Sequence, residues 1–184
     1  MRKQLGLFFS AALLMAACNQ NKVEVIDGVK LQMHSHDDAA KKLKEGDIVT
    51  FDLVIKNGAD SVLQDTKKDG QPGKGMIQAP NNAPGAFKGS FENGLRLLSV
   101  GDSATIFVPV DSLFKDANQQ VPPFLKRGTD VRFIVKIKKS QSRAEFEKEM
   151  TKLSAEQTGK DAKLIEAYVA NSGKKFTKTS TGLY

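Results

Sequence analysis

The spacing of the hydrophobic residues changes at about residue 140, and this change divides the chain into two structural regions. Before residue 140, apolar and polar residues alternate, which is typical of strands with one buried and one solvated face. The alternation predicts strands at 29–33, 48–55, 104–110 and 131–137. The turn signal at Asn57-Gly58 favours a hairpin with a partner strand near 61–63. We therefore expect an antiparallel sheet.

Helical spacing occurs in one short segment and again after residue 140. Ser90 is a suitable N-cap for a short helix through residue 98, whose apolar face would lie against the sheet. In the tail, Ser142 and Glu145 have the spacing of a capping box, and a second start at Ser154 predicts a second helix ending at Gly173. Three segments without either spacing are expected to be loops: 65–88, 111–114 and 121–124. The first of them contains at most a short strand, at 76–77.

Composition and charge exclude several classes of protein. The chain has 184 residues, of which 40% are hydrophobic and 27% charged, so it can bury one core but is too short for a large multidomain enzyme. Its formal charge of +7 falls to 7 − 2 = +5 without Arg2 and Lys3. The lysines are scattered among acidic residues, which indicates a solvated surface and no nucleic-acid partner.

The first eighteen residues have the pattern of an export signal. A basic start is followed by an apolar run from Leu5 to Met15, which is shorter than the ~20 residues of a spanning helix. The run ends at Ala16-Ala17-Cys18, which resembles the lipobox of bacterial lipoproteins, and this resemblance implies lipidation of Cys18. The alternative is a plain secretory signal followed by a chance cysteine. We expect a lipid-anchored protein of the cell envelope of a Gram-negative-like bacterium, in the outer membrane.

These features predict four segments: a lipoprotein signal peptide at 1–17, a lipidated tether at 18–22, a β-rich domain at 23–140 and a helical extension at 141–184. The apolar face of the extension needs a partner, which is either the domain or another chain. A third interpretation makes the extension a linker to a second domain.

Side chains for covalent catalysis are nearly absent from the sequence. No nucleophile has a base beside it, and no glycine-rich phosphate loop follows a strand. His34, His36 and Asp37 lie close together and form an alternative metal site, although two imidazoles on an exposed strand are more often solvated. We expect no cofactor and no metal. An enzyme built on this chain must therefore work without a nucleophile.

Seven short segments, taken in order, resemble the FKBP-type peptidyl-prolyl isomerases, and in particular lipoproteins of this family from Bacteroidetes-like bacteria. The segments are 45–47, 64–66, 87–95, 99–102, 108–111, 121–123 and 131–135. The resemblance covers roughly residues 45–138 and implies an α+β fold in which a twisted antiparallel sheet wraps on one short helix. It also implies isomerisation of X-Pro bonds, which breaks no covalent bond and needs no nucleophile. The barrier is the ~18–20 kcal/mol of lost amide resonance, and an apolar site lowers it because water favours the planar, polar ground state.

The resemblance also implies which side chains form the site. Four match positions with a catalytic role, namely Phe51, Asp65, Phe114 and Phe133. Three match positions that hold the substrate, namely Phe87, Phe91 and Val121. Phe114 stands where the family has a tyrosine, and Phe91 aligns with the family's tryptophan only after a one-residue insertion.

Some positions depart from the family pattern. Gln64 and Gly73 stand where the family has aromatic wall residues, so weak catalysis or none is an alternative. The phenylalanines have a second interpretation as ordinary core residues. Our expectation is an isomerase acting on X-Pro bonds of exported envelope polypeptides, with a possible dimer through the tail. The rival is a non-catalytic binding or chaperone lipoprotein of the same fold.

Overall fold

The computed structural model describes residues 22–80, 83, 86–115 and 119–180. The predicted signal peptide, Cys18 and all but one residue of the tether lie outside the described residues. The described residues contain seven strands: β1 (Val23–Ile26), β2 (Val29–Ser35), β3 (Ile48–Lys56), β4 (Val62–Asp65), β5 (Gly73–Met76), β6 (Ser103–Pro109) and β7 (Asp130–Gln141). The helices in the described ranges are α1 (Phe91–Arg96), α2 (Val110–Leu113) and α3 (Arg143–Asn171).

The strands form a single antiparallel sheet, in the order β1-β2-β6-β7-β3-β4, with β5 paired to the first half of β3. The four strands predicted from alternation are all present, and the Asn57-Gly58 turn joins β3 to β4 as the sequence indicates. The buried residues of β3, Val49, Phe51 and Leu53, are spaced by two, as a strand with one wet face requires. The predicted α+β class is confirmed.

Helix α1 covers the buried face of this sheet. The Ser90 hydroxyl accepts a hydrogen bond from the Asn93 backbone N–H, so the predicted N-cap is confirmed, although the helix ends at Arg96. Gly94 permits the close approach to β6, because a Cβ there would lie only 2.9 Å from Cγ1 of Ile106. Leu95 joins Ile106 in the core.

Two helical expectations were wrong. Residues 111–114 were expected to be a loop, but α2 makes one helical turn there directly after Pro109. The tail was expected to contain two helices, and instead α3 continues for 29 residues. Its capping box at Ser142 and Glu145 is confirmed. Ser154 does not start a new helix, because the continuing ladder uses its carbonyl oxygen, which also accepts a hydrogen bond from the Thr158 hydroxyl.

Only the first turns of α3 are attached to the sheet. Glu149 accepts a hydrogen bond from the Lys139 ammonium at 2.6 Å and one from the Gln141 amide, and the Lys74 ammonium lies 5.4 Å from the centre of the Phe146 ring. No residue of α3 is buried. Among the described helices, none is both long enough and apolar enough to cross a bilayer.

His36 pairs with the buried carboxylate of Asp102, which directly precedes β6. Asp102 is fully buried and accepts hydrogen bonds from the Ser99 backbone N–H at 2.7 Å and from His36 Nδ1 at 2.9 Å. His34 Nε2 instead lies 2.7 Å from the Thr105 hydroxyl. The two imidazoles therefore have separate partners, and the described residues contain no group of three or more metal-ligating side chains.

Candidate functional site

Three phenylalanine rings from different elements meet where α1 faces the sheet. Phe91 begins α1, and its ring stacks on Phe133 of β7 with centres 4.9 Å apart and an interplanar angle of 27°. Phe51 of β3 meets the edge of Phe91 at 5.9 Å and 70°. Both geometries are favourable for aromatic pairs. The position of Phe91 follows from the Ser90 cap, which fixes where α1 starts.

A cleft of about 600 Å³ opens beside this cluster, between α1, the segment before it and α2. Its apolar wall includes Phe87, Phe91, Val108, Leu113 and Phe133. Polar side chains also line it: Gln78, Ser90, Glu92, Asn93, Arg96, Ser112 and Lys115. The cleft is therefore mixed in character: aromatic and aliphatic side chains form its apolar wall, and polar and charged groups form the rest of the lining.

Phe87 forms the side of the cleft next to Lys115. The ammonium of Lys115 lies 6.0 Å from the centre of its ring, at the outer limit of a cation–π contact. Phe87 also packs against the backbone of Gly89, where a Cβ would lie 2.8 Å from the tip of the ring. The sequence-predicted residues Phe87, Phe91 and Phe133 are thus brought together in one cleft.

Phe51 supports the cleft from behind without lining it. Its side chain is in the core, with the residue only 5% exposed. The ring lies over Gly73, where a Cβ would be 2.9 Å from Cδ2 and closer still to Cε2. Phe51 therefore fills the space that a side chain at position 73 would need. The phenylalanines had been interpreted either as site residues or as ordinary core residues. Each interpretation holds for one of them, since Phe51 lies in the core and Phe87 lines the cleft.

Asp65, Phe114 and Val121 are not among the described residues that line this cleft. The Asp65 carboxylate accepts a hydrogen bond from the Lys67 backbone N–H at 3.1 Å, and its carbonyl oxygen accepts one from Asp69. Asp65 therefore stabilises the turn after β4 through both its carboxylate and its carbonyl oxygen. Phe114 follows α2 and Val121 lies in a loop, both partly buried. The catalytic and binding roles of these three side chains stay predictions.

Helix α2, which carries Leu113 at the cleft, is held by an ionic network. The Asp111 carboxylate accepts a hydrogen bond from the Gly128 backbone N–H at 2.8 Å and one from Arg127 at 3.2 Å. The Gly128 bond, followed by the Arg127 guanidinium, lowers the pKa of Asp111 from its ordinary value. The carboxylate thus stays ionised and fixes α2 against the loop before β7.

Sequence reasoning missed several side chains of the cleft, among them Val108, Leu113 and Arg96. Leu113 was missed because its segment was expected to be a loop. Arg96 was missed because a single surface cation carries no pattern, although its spacing from Glu92 and Asn93 places all three on one side of α1. This helical spacing is the signal that would have found it.

Comparison with known proteins supports the fold. No protein-family model matches the sequence, and no curated protein matches it. Among solved structures, the N-terminal domain of FKBP42 from Arabidopsis thaliana is 14% identical, covering 66% of this chain and 94% of that one, with a TM-score of 0.50. The crystal structure of FkpA from Escherichia coli is 13% identical over 65% of this chain, with a TM-score of 0.49. The chain spans about half the FkpA chain, 52%.

The fold is therefore α+β and FKBP-like, as the sequence had led us to expect. At such low identity the likeness concerns the path of the backbone, and says nothing of which side chains act in the cleft.

Proposed function

We propose that this protein is a peptidyl-prolyl cis-trans isomerase of the FKBP type. The observation that supports this most is the cleft walled by Phe87, Phe91 and Phe133 on an FKBP-like fold. Rotation about an X-Pro bond loses the amide resonance, and the twisted state is less polar than the planar one. A hollow lined by aromatic rings receives the proline ring and removes water from the imide, so it binds the twisted state better than the planar state.

Each ring has a distinct part in this mechanism. The stacked pair Phe91 and Phe133 forms the apolar surface on which the proline ring rests. Phe51, buried behind Phe91, packs edge-to-face against that ring with the ring centres 5.9 Å apart, and so supports it from the core side. Phe87 closes the side of the cleft. No proton transfer or bond cleavage is required, in agreement with the lack of a paired nucleophile and base in the sequence.

The proposed cellular setting rests on the sequence. The signal-like residues 1–17 and the lipobox-like Cys18 support export and attachment to the cell envelope through an N-terminal lipid, in the outer membrane. Its substrates are then unfolded or flexible exported polypeptides. Isomerisation of their X-Pro bonds takes tens to hundreds of seconds unaided, which is slow enough to limit folding. The exposed tail helix α3 is the proposed contact for a homodimer.

A non-catalytic binding protein of the same fold is the second candidate. Two features favour it: position 73 is a glycine covered by Phe51, and Asp65 lies outside the cleft lining. A cleft with fewer wall residues still binds an apolar segment, but it restrains the imide less. Such a protein would bind proline peptides and leave their isomerisation rate unchanged.

The decisive experiment is a proline-peptide isomerisation assay on the chain without residues 1–18. We expect catalysis, and a loss of about two- to tenfold in Phe133→Ala, because an aromatic contact is worth about 0.5–1.5 kcal/mol. Phe107→Ala is the matched control: Phe107 is also partly buried in a central strand, but it does not line the cleft and contacts Lys30 instead.

Amide hydrogen exchange in β6 and β7 at the assay temperature checks that the sheet remains folded in both variants, because the exposed helix α3 supplies most of the helical circular dichroism. Peptide binding without catalysis in the wild type would favour the non-catalytic candidate. Equal rates for wild type, Phe133→Ala and Phe107→Ala would contradict the proposed role of the cleft.

A further inference from the structure

A second cavity adjoins the aromatic cleft along the outer side of α1. It has a volume of about 320 Å³ and is lined by Asp27, Val29, Pro80, Lys88, Asn93, Arg96 and Leu97. Asn93 and Arg96 also line the aromatic cleft. The two cavities therefore meet at these two side chains, and together they form a groove longer than one proline ring needs.

The junction between the cavities has a fixed shape. The Asn93 amide donates a hydrogen bond to the Lys88 carbonyl oxygen at 2.8 Å, and its backbone N–H donates one to the Ser90 hydroxyl at 3.2 Å. The Lys88 side chain in turn lies against Gly28 in the β1–β2 turn. A Cβ added at Gly28 would be 2.9 Å from the Cβ of Lys88. A peptide leaving the aromatic cleft on this side passes a rigid wall.

Arg96 stands at this junction without an ion-pair partner among the described residues. It lies one turn after Asn93 and is exposed. Glu92, four residues earlier, is spaced for an ion pair with Arg96, but none of the ion pairs among the described residues includes Arg96. Its planar fork of donors matches a carboxylate in two parallel hydrogen bonds. An incoming carboxylate displaces no existing partner.

The charges around the junction favour an acidic ligand. Lys88, Arg96 and Lys115 line the two cavities, against Asp27 and Glu92. The cations outnumber the anions, and Arg96 is the one cation among them that faces both cavities. A residue next to a proline seated in the aromatic cleft is therefore within reach of a positive side chain.

We propose that Arg96 binds the side-chain carboxylate of an Asp or Glu flanking the substrate proline, so that this protein selects acidic proline-containing segments. The inference rests on the proposed function, since it needs a proline in the aromatic cleft. It assigns Arg96 to substrate selection and gives it no part in twisting the imide. Because the groove is open to solvent, the ion pair weakens as salt is added.

The test compares peptides that differ only in charge. Proline tetrapeptides carry Glu, Gln or Lys either directly before or directly after the proline, and both isomerisation and binding are measured. We expect the wild type to prefer Glu over Gln about three- to fivefold at one of the two positions, as for a partly exposed ion pair of about 0.7–1 kcal/mol. The preference should shrink between about 0.01 M and about 1 M salt, as the Debye length falls from about 30 to about 3 Å.

Variants assign the preference to Arg96. Arg96→Gln should bring the Glu-to-Gln ratio close to one, Arg96→Lys should keep part of it, and Arg96→Glu should favour the Lys peptide. Lys160→Gln is the control, because it removes the same charge from an exposed position on α3. It should leave the ratio as in the wild type.

The outcomes separate this inference from the proposed function. If no peptide is bound or isomerised, the proposed function fails. If peptides are isomerised but Glu and Gln are treated alike at both positions, the selection by Arg96 is refuted while the proposed function stands. If peptides are bound without being isomerised, the proposed function fails, and equal binding of the Glu and Gln peptides then refutes the selection by Arg96 as well. A preference that survives in Arg96→Gln also refutes it, and one lost in Arg96→Gln but kept in Lys160→Gln supports it.

Discussion

Replacing Gly73 by alanine tests how tightly the aromatic cluster is packed. The added methyl group would lie 2.9 Å from Cδ2 and 3.0 Å from Cζ of Phe51, and closer still to Cε2. Real Cβ atoms do not approach neighbouring atoms this closely, so either the ring or the strand must move. The Phe51 ring is buried and meets Phe91, and Gly73 is itself paired with Phe51 between β5 and β3. Neither can shift alone.

The expected cost follows from two opposing effects. Overpacking of a core costs about 1–3 kcal/mol. The alanine reduces the entropy of the unfolded chain, which returns about 0.4–1 kcal/mol. We therefore expect Gly73→Ala to lower the free energy of unfolding by about 1–2 kcal/mol, with a fall in Tm of about 3–10 °C for a domain of this size. Displacement of Phe51 should also disturb Phe91, and so lower the isomerisation rate.

Gly75→Ala is a matched control in the same strand. Gly75 is two residues away and faces the same ring, but a Cβ there would lie 3.7 Å from Phe51 Cε1, an ordinary contact. It should leave stability unchanged or raise it slightly. Amide hydrogen exchange in β3 is the suitable measurement, because α3 supplies most of the helical circular dichroism and both tyrosines lie in the tail. Equal protection in Gly73→Ala and Gly75→Ala would refute the reasoning.

Three further perturbations have defined outcomes. The hydrogen bond to Asp102 raises the pKa of His36 above its ordinary value of 6.5, so its stabilisation should be complete below about pH 6.5 and lost as the pH rises through the higher folded pKa. Asp102→Asn should reduce this pH dependence in urea unfolding and leave a smaller part from Asp38, which lies 3.1 Å from His36 Nε2; an unchanged slope would contradict it. Asp111→Ala should release α2 from Gly128 and raise KM more than it lowers kcat in steady-state assays; an unchanged KM would argue against this link. Deleting residues from Ser142 onward should convert the proposed dimer to a monomer in light scattering, and a dimer that persists in the truncated chain would contradict the tail as its contact.

The sheet was predictable from sequence because a strand with one wet face imposes alternation over many residues. The helix at Ser90 was predictable because a capping side chain precedes an apolar face. Helix α2 was not, since four residues give no measurable spacing. The tail was divided wrongly at Ser154, because a serine near a later glutamine has the same sequence appearance in the middle of a helix as at its start.

The candidate site was predictable only in its aromatic part. Phe91 and Phe133 lie on regular elements whose registers fix the directions of their side chains, so matching the sequence order sufficed. Asp65 lies at the end of a strand where the turn that follows decides its direction, and this turn takes its carboxylate for a backbone hydrogen bond. Val121 depends on a loop path in the same way. Loop paths follow from packing that local patterns do not encode.

The junction between β7 and α3 has a mechanical consequence. Only Ser142 separates the two elements, and at 1.5 Å per residue the helix extends about 44 Å from it. Since its later turns have no buried contact to hold them, a swing of about 10° at Ser142 displaces the far end by about 8 Å. Helix α3 therefore rotates about Ser142 as a rigid rod. The ion pair between Lys139 and Glu149 near its start opposes this rotation, so the strength of that pair determines how far Asn171 can move.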